Sequence, residues 1–230
     1  MMKIPSRTGG LSSKRLYLPA SHIEKICNDA LRSVRLLPET PSAVRIERFI
    51  EKKFGFSPEY AALPAGVLGY TELGTAGPGR IVVDRGLAEA DSVVAERRIS
   101  TTLAHEAGHC LFHAHLFGAT PSSAELFNDD EEHSLAPKIL CRDEPSPSYD
   151  GKWWEYQANA AIGPLLLPQE LVIQAVQPFL ECRGLLGLPT LADRARRSAE
   201  LAIAETFNVN PIVSRIRLSE MFPPDAQPTL

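Results

Sequence analysis

The stretch TTLAHEAGHCLFHAH, at residues 101–115, constrains this chain more than any other part of the sequence. Its apolar residues recur at helical spacing, and residues four apart on a helix share one face, with Cβ atoms about 5–6 Å apart. His105 and His109 can therefore direct two imidazoles at one tetrahedral metal ion. Glu106 lies about 100° further round the helix, where a carboxylate can act as a general base toward water. Alternatively, the stretch is an ordinary solvated helix, because short motifs also match by chance.

A second stretch, WEYQAN, favours the metal interpretation because it offers a third ligand. Glu155 begins a predicted helix, and Asn159 lies one turn later on the same face, where it can orient a ligand through an outer hydrogen bond. Two histidines and one glutamate leave a coordination position open for water, which is typical of a hydrolytic site. The predicted cofactor is one zinc ion per chain, although this donor set also accepts other divalent ions.

Composition excludes several other classes of protein. The chain has 230 residues, 44% of them hydrophobic, which is enough for a buried core in one domain with extensions or in two small domains. Its net charge of −4 gives no overall attraction to nucleic acid or to anionic membranes. The sequence has no apolar run of membrane-spanning length and no signal-peptide core, and its four dispersed cysteines predict free thiols. A cytoplasmic protein is therefore expected.

The pattern of residues predicts a mostly helical α+β fold. One helix is expected in SHIEKICNDALRSVRLL, with Ser21 and Glu24 as a capping box. A second is expected in ETPSAVRIERFIEKKFGF, with Thr40 as the N-cap and Gly55 at the exit. GVLGYTEL and RIVVD predict two strands of a small antiparallel sheet. The histidine motif is then expected on a helix over residues 92–117, and helix is expected again in WWEYQANAAIGPLLLPQELVIQAV.

The C-terminal part has the outline of a helix-turn-helix. Two helical patterns in LADRARRSAELAIAETFNVNPIVSRIRLSEM are joined by FNVN, so Asn210 can cap the second helix, with Pro211 at its first position.

Residues 118–152 form a long segment rich in proline, serine and acids. A segment of this length is a lid over a site, partly disordered, or the location of a hidden short helix. Its acidic run Asp129–Glu132 either favours basic substrates or is a solvated face. His115 and His133 match no ligand pattern and are expected at the surface.

Two blocks of the sequence resemble the ImmA/IrrE family of zinc metallopeptidases. ERRISTTLAHEAGHCLFH is similar to the R-R-x-T-x-A-H-E-x-G-H-x-x-x-H block typical of that family, and EYQANAAIGPLLLP to its E-x-x-A-N-x-F-A-A-x-L-L-M-P block. The resemblance extends loosely over residues 40–220. It implies a zincin-like fold, a gluzincin-like zinc site formed by His105, His109 and Glu155, and Glu106 as the general base.

The resemblance also implies a function, namely a regulatory endopeptidase that cleaves a helix-turn-helix repressor in transcription regulation or stress response. His113 matches a later histidine of the family, which implies a role beside the ligands or toward the substrate; alternatively, it caps the helix end. The chain departs from the family pattern at residues 161–163, AIG, and at Pro164, which is expected to kink the helix beyond Glu155.

Three regions are expected on this basis: an N-terminal extension with one helix at residues 1–38, a zinc metallopeptidase domain at 39–170, and a C-terminal helix-turn-helix-like subdomain at 171–230. A substrate peptide is expected to add as a strand along an edge near Arg80–Asp84. Tyr156, next to a predicted ligand, is a candidate for stabilising the oxyanion.

A different class of function stays open. The C-terminal helices are rich in arginine, so the chain could be a weak or inactive enzyme that regulates by binding a repressor or DNA. Direct DNA binding is disfavoured because the chain is acidic overall. The arginines concerned are Arg194, Arg196, Arg197, Arg215 and Arg217.

Overall fold

Helices dominate the computed structural model, which describes residues 18–74, 77–114, 138–142, 153–183 and 188–223. The described helices are α1 (Ala20–Ser33), α2 (Ile46–Phe54), α3 (Arg85–Glu89), α4 (Val93–Phe112), α5 (Trp153–Leu166), α6 (Gln169–Val176), α7 (Asp193–Thr206) and α8 (Pro211–Met221). The described strands are β1 (Glu59–Ala61), β2 (Val67–Gly74), β3 (Gly77–Asp84), β4 (Lys138–Arg142), β5 (Leu180–Arg183) and β6 (Leu188–Leu191). The fold is α+β, as predicted, and within these ranges no helix is long and apolar enough to cross a membrane.

The main sheet has the order β1-β3-β2-β4 and is mixed, not purely antiparallel as predicted. The predicted pair β2 and β3 is antiparallel, and so are β2 and β4. The difference comes from β1, a three-residue strand that runs parallel to β3 and is too short to show an alternating pattern. Because β1 pairs with Val82–Asp84, the strand predicted as a substrate edge is interior over those residues. β5 and β6 form a separate antiparallel pair.

The capping box predicted for α1 is wrong. The helix begins at Ala20, so Ser21 lies inside its first turn and cannot be the N-cap. Glu24 instead accepts hydrogen bonds from the backbone N–H of Gln169 at 3.1 Å and from the guanidinium of Arg217 at 2.6 Å. Partners distant in sequence therefore bind a carboxylate that the local pattern assigned to the helix end.

The predicted helix α2 begins later than expected but ends where expected. Its N-cap is Arg45 rather than Thr40, because residues 40–43 have no buried side chain to hold an earlier turn. Its C-cap is Gly55, with φ 85°.

The helix with the histidine motif begins after Ser92, whose hydroxyl accepts from the backbone N–H of Ala95 at 3.2 Å. It ends at Phe112, shorter than predicted, and His113 is its C-cap; residues 115–117 lie outside the described part. The helix expected over the WWEYQAN stretch is two helices, α5 and α6, divided at Leu167 and Pro168. α5 continues through Pro164, so Glu155 lies in an uninterrupted first turn.

The two C-terminal helices have the predicted outline, and the long segment includes one described strand. α7 and α8 have the predicted outline, with Asn210 in the N-cap position and Pro211 first in α8. Of the segment 118–152 the structure describes the strand β4, and the predicted lid or hidden short helix falls on residues outside the described part. Its acidic run Asp129–Glu132 and His133 lie outside the described residues, as does His115.

A single hydrophobic cluster connects the helices of all three predicted regions. It is centred on α4 and α5 and also includes side chains of β3 and β6. Its fully or almost fully buried members include Ile23 and Leu31 of α1, Phe49 of α2, Leu103 of α4, Leu165 of α5, Ile203 of α7 and Leu218 of α8. The N-terminal and C-terminal helices therefore share the core that supports the central helices, and the proposed domain boundaries stay a prediction.

Candidate metal centre

The site lies where α4 crosses α5, and Gly108 allows the two helices to approach closely. A Cβ atom at Gly108 would lie 3.0 Å from the Cβ of Ala161 and 3.1 Å from the Cα of Ala158, which is closer than ordinary van der Waals contact. The absence of a side chain at Gly108 therefore allows this close contact. The ligand candidates of α4 thus lie directly against the first turns of α5.

Three of the predicted side chains meet at this crossing. His105 Nε2 and His109 Nε2 lie 3.0 Å apart, and the carboxylate oxygens of Glu155 lie 3.2 Å from His105 Nε2 and 3.6 Å from His109 Nε2. A tetrahedral ion with bonds of about 2.0–2.1 Å separates its ligand atoms by roughly 3.3–3.4 Å. The His₂Glu set is therefore a possible metal-binding triad with nearly the spacing that one tetrahedral ion requires.

Both histidines are oriented through their other ring nitrogen. Nδ1 of His105 donates to Oδ1 of Asn159 at 2.9 Å, the outer hydrogen bond expected for that residue. Nδ1 of His109 lies 3.0 Å from Nδ1 of His113, and Nε2 of His113 lies 3.2 Å from Oε1 of Gln157. With both Nδ1 atoms occupied in this way, the Nε2 atoms face Glu155, the arrangement that metal ligation would require.

Glu106 is completely buried beside the triad and faces the sheet rather than α5. Its Oε2 accepts a hydrogen bond from the hydroxyl of Thr71, on β2, at 2.6 Å. Its Oε1 has no hydrogen-bond partner in the described part of the chain. One carboxylate oxygen is thus held in place, while the other remains available to accept a proton.

The pKa values of Glu106 and Glu155 shift in opposite directions. Burial raises the pKa of Glu106 to about 7, against the opposing effects of His105 and of the Thr71 hydrogen bond. Burial also acts to raise the pKa of Glu155, but the hydrogen bonds and charges of His105 and His109 outweigh it and hold that pKa far below its usual range. Glu155 is therefore the ionised carboxylate of the possible triad, and Glu106 is the carboxyl able to exchange a proton near neutrality.

The pKa values of the two histidines of the possible triad also shift in opposite directions. Burial disfavours the charged form of both, and it leaves the pKa of His109 lowered. For His105 the Glu155 hydrogen bond and the charge of Glu106 exceed the effect of burial, so its pKa is raised. The two carboxylates therefore favour positive charge at His105.

The structure adds two residues that the sequence patterns did not single out. Thr71 lies on the inward face of β2 with Gly69 and Leu73, so the period-two alternation of that strand was the only available signal. No sequence motif or periodicity marks Gln157, and only its contact with His113 in the structure identifies it as part of the site.

Not every predicted residue lies in the site. Tyr156 is 60% exposed, on the side of α5 that faces solvent, which gives no support to it as the oxyanion donor. His113 is the C-cap of α4, and its side chain is completely buried and packs edge-on against Trp153, with 5.5 Å between ring centroids. Its Nδ1 contacts the predicted ligand His109.

Comparisons with known proteins add no family assignment: no family model and no curated protein matches this chain. The resemblance to the ImmA/IrrE family therefore depends on the two motif blocks alone.

Proposed function

We propose that this chain is a zinc-dependent endopeptidase that cleaves a peptide bond in a regulatory protein. The observation that carries the proposal is the convergence of His105, His109 and Glu155 beside a buried carboxyl, Glu106, whose second oxygen is unpartnered in the described residues. Structural zinc sites use four protein ligands, whereas three ligands with an adjacent base are typical of hydrolytic sites.

A bound zinc ion would polarise the scissile carbonyl and the attacking water. Oε1 of Glu106 would accept the proton of that water and later deliver it to the leaving amine, which a carboxyl of pKa about 7 can do in both directions. Thr71 holds Oε2, and Oε1, which has no partner among the described residues, would be the oxygen that takes part in proton transfer. Asn159 and His113 orient the imidazoles without binding the ion.

The free edge of the sheet is consistent with a peptide as the proposed substrate. β4 pairs with β2 on one side, and no strand of the described chain pairs with its other side. Ile139 of β4 is the register partner of Thr71 on β2. A peptide added to the free edge of β4 would therefore lie about 10 Å from β2, the strand whose Thr71 binds the Glu106 carboxylate. β4 therefore replaces Arg80–Asp84 as the proposed position for β-strand addition. By the family resemblance, the proposed substrate is a helix-turn-helix transcriptional repressor in the cytoplasm.

The alternative, a regulator that binds DNA through its arginine-rich helices, has less support because those arginines already have partners. Arg217 pairs with Glu24 in the interior, and Arg197 and Arg215 both pair with the buried Glu200. The other two bind elsewhere within the chain: Arg194 to Glu181, and Arg196 to the backbone oxygen of Phe222. Salt-dependent retention on duplex DNA would favour this alternative.

The first test is metal content, measured by elemental analysis of the purified protein beside the Glu155→Ala variant. We expect about one zinc per wild-type chain and a strong loss in the variant, because two histidines alone hold zinc weakly. A wild-type protein without stoichiometric metal after zinc is supplied would overturn the proposal.

The second test is cleavage, with a proteome-derived peptide library as the substrate and mass spectrometry as the readout. Glu106→Gln should retain zinc but lose the products formed by the wild type, because an amide cannot accept the proton. Products that persist in the Glu106→Gln variant would exclude Glu106 as the base.

A further inference from the structure

His113 connects the predicted ligand His109 to Gln157 in a row of three buried side chains. Its Nδ1 lies 3.0 Å from Nδ1 of His109, and its Nε2 lies 3.2 Å from Oε1 of Gln157. The edge-on contact with Trp153 limits rotation of the ring. Since His113 is inaccessible to solvent, bulk water cannot replace either contact.

The direction of these hydrogen bonds follows from the chemistry of the atoms. An amide oxygen only accepts, so His113 must carry its proton on Nε2 to bind Gln157. A neutral imidazole has one N–H, which leaves a lone pair on Nδ1 of His113. The only bond that Nδ1 of His109 can then make is as a donor, which places the proton of His109 on Nδ1 and leaves the lone pair on Nε2.

We propose that Gln157 is a positioning residue that fixes the tautomer of His109 through His113 and so prepares Nε2 of His109 to bind the metal ion. The inference rests on the proposed metal centre. For His105, the single contact with Asn159 is enough to place the proton on Nδ1 and leave the lone pair on Nε2. Helix α5 thus supplies the ligand Glu155 together with the residues that set the tautomers of both ligand histidines on α4.

The variant test replaces Gln157 with methionine, which keeps the volume and removes the acceptor. Zinc affinity, measured by competition with a chromophoric chelator, should fall about 10- to 100-fold, the usual effect of losing an outer partner of a ligand. The matched control is Gln174→Met, the same exchange at an exposed position of α6, which should leave the affinity unchanged. An unchanged affinity in Gln157→Met would overturn the inference.

The tautomers themselves can be measured in the wild-type protein, so the test does not depend on a variant that folds. Long-range ¹H–¹⁵N spectra of zinc-loaded, ¹⁵N-histidine-labelled protein should show the His113 proton on Nε2 and the His109 proton on Nδ1. In Gln157→Met the His113 signals should shift toward a mixture of tautomers. A merely structural Gln157 would leave these nitrogen signals unmoved.

The failures of the two proposals are distinguishable. Zinc bound at one per chain, with the His113 proton found on Nδ1, would overturn the proposed role of Gln157 and leave the metalloprotease proposal intact. A wild-type chain that binds no zinc would defeat the proposed function and this inference with it.

Discussion

At the scale of single residues, the hydroxyl of Thr71 determines how the Glu106 carboxyl is held. Thr71 is completely buried, and its Oγ1–H donates to Oε2 of Glu106 at 2.6 Å. A carboxylate fixed at one oxygen loses less freedom when the other oxygen takes part in proton transfer. Thr71 is therefore a positioning residue for the proposed base, although it is not one of the predicted metal ligands and is buried from solvent.

Thr71→Val keeps the shape of the side chain and removes the donor. A hydrogen bond to a charged group contributes about 1.5–3 kcal/mol, so the cleavage rate at saturating substrate should fall about 10- to 100-fold with zinc content unchanged. Thr71→Ser should restore most of the rate because it restores the hydroxyl. A valine variant with the wild-type rate would show that Glu106 needs no support from β2.

At the scale of elements, the crossing of α4 and α5 sets the geometry of the triad. Gly108→Ala removes a helix-destabilising glycine, a gain of up to about 1 kcal/mol, but its Cβ would press on Ala158 and Ala161 at 3.0–3.1 Å. Moving α5 by a few tenths of an ångström shifts Glu155 relative to both histidines. We therefore expect zinc affinity to fall by more than the thermal midpoint does, as measured by chelator competition and calorimetry.

Ser100→Ala, on the same helix, is the control for Gly108→Ala, because among the described residues the Ser100 hydroxyl binds the carbonyl of Glu96 in its own helix. If both variants bind zinc like the wild type, the close helix contact has no part in shaping the site.

The sequence predicted those elements of the site that depend on local spacing. The helix with His105 and His109 and the turn with Glu155 and Asn159 each follow from residues three or four apart. That the two helices meet could be anticipated only from the chemistry of the ligand set. Gln157 was missed because its partner is 44 residues away and no periodicity connects them.

The errors in the predicted fold have a common physical cause, which is that tertiary contacts override local signals. The capping box failed because Glu24 pairs with Arg217, 193 residues away. The edge strand was misassigned because β1, only three residues long, covers one end of β3. β4 was not predicted because its pairing partner β2 lies on the far side of α4 in sequence.

At the scale of the whole molecule, zinc binding should stabilise the fold, because α4 and α5 are both central to the hydrophobic core. Zinc at about 1,000 times its dissociation constant adds roughly 4 kcal/mol. For a chain of this size that corresponds to about 8–16 °C in the melting temperature. Scanning calorimetry should show this increase and its reversal by EDTA. Glu155→Ala should show little of either, and an equal increase in that variant would indicate that zinc binds elsewhere.

The ion pair between Glu24 and Arg217 should make a large contribution to global stability. The side chain of Arg217 is only 7% exposed, and it also donates to the backbone oxygen of Leu167 at 3.1 Å. Glu24→Gln leaves the buried guanidinium with only the more distant and exposed carboxylate of Glu220, at 3.7 Å, as a counter-charge, which should cost up to about 3–5 kcal/mol in urea unfolding.

The matched control is Asp29→Asn, which breaks the exposed pair with Lys25 on the same helix. It should leave the urea midpoint unchanged, because exposed ion pairs contribute little. Equal effects of the two variants would contradict a special role for the buried pair.

The same pair has a consequence for how the chain is made. Glu24 leaves the ribosome 193 residues ahead of Arg217, a delay of roughly 10–40 s at about 5–20 residues per second. Through that time α1 lacks its counter-charge, and the apolar side chains of Ile23 and Leu31 have no completed core to enter. Helix α1, the first of the described helices, is therefore among the last of them to gain its tertiary partners, and the nascent chain offers chaperones a long period in which to bind it.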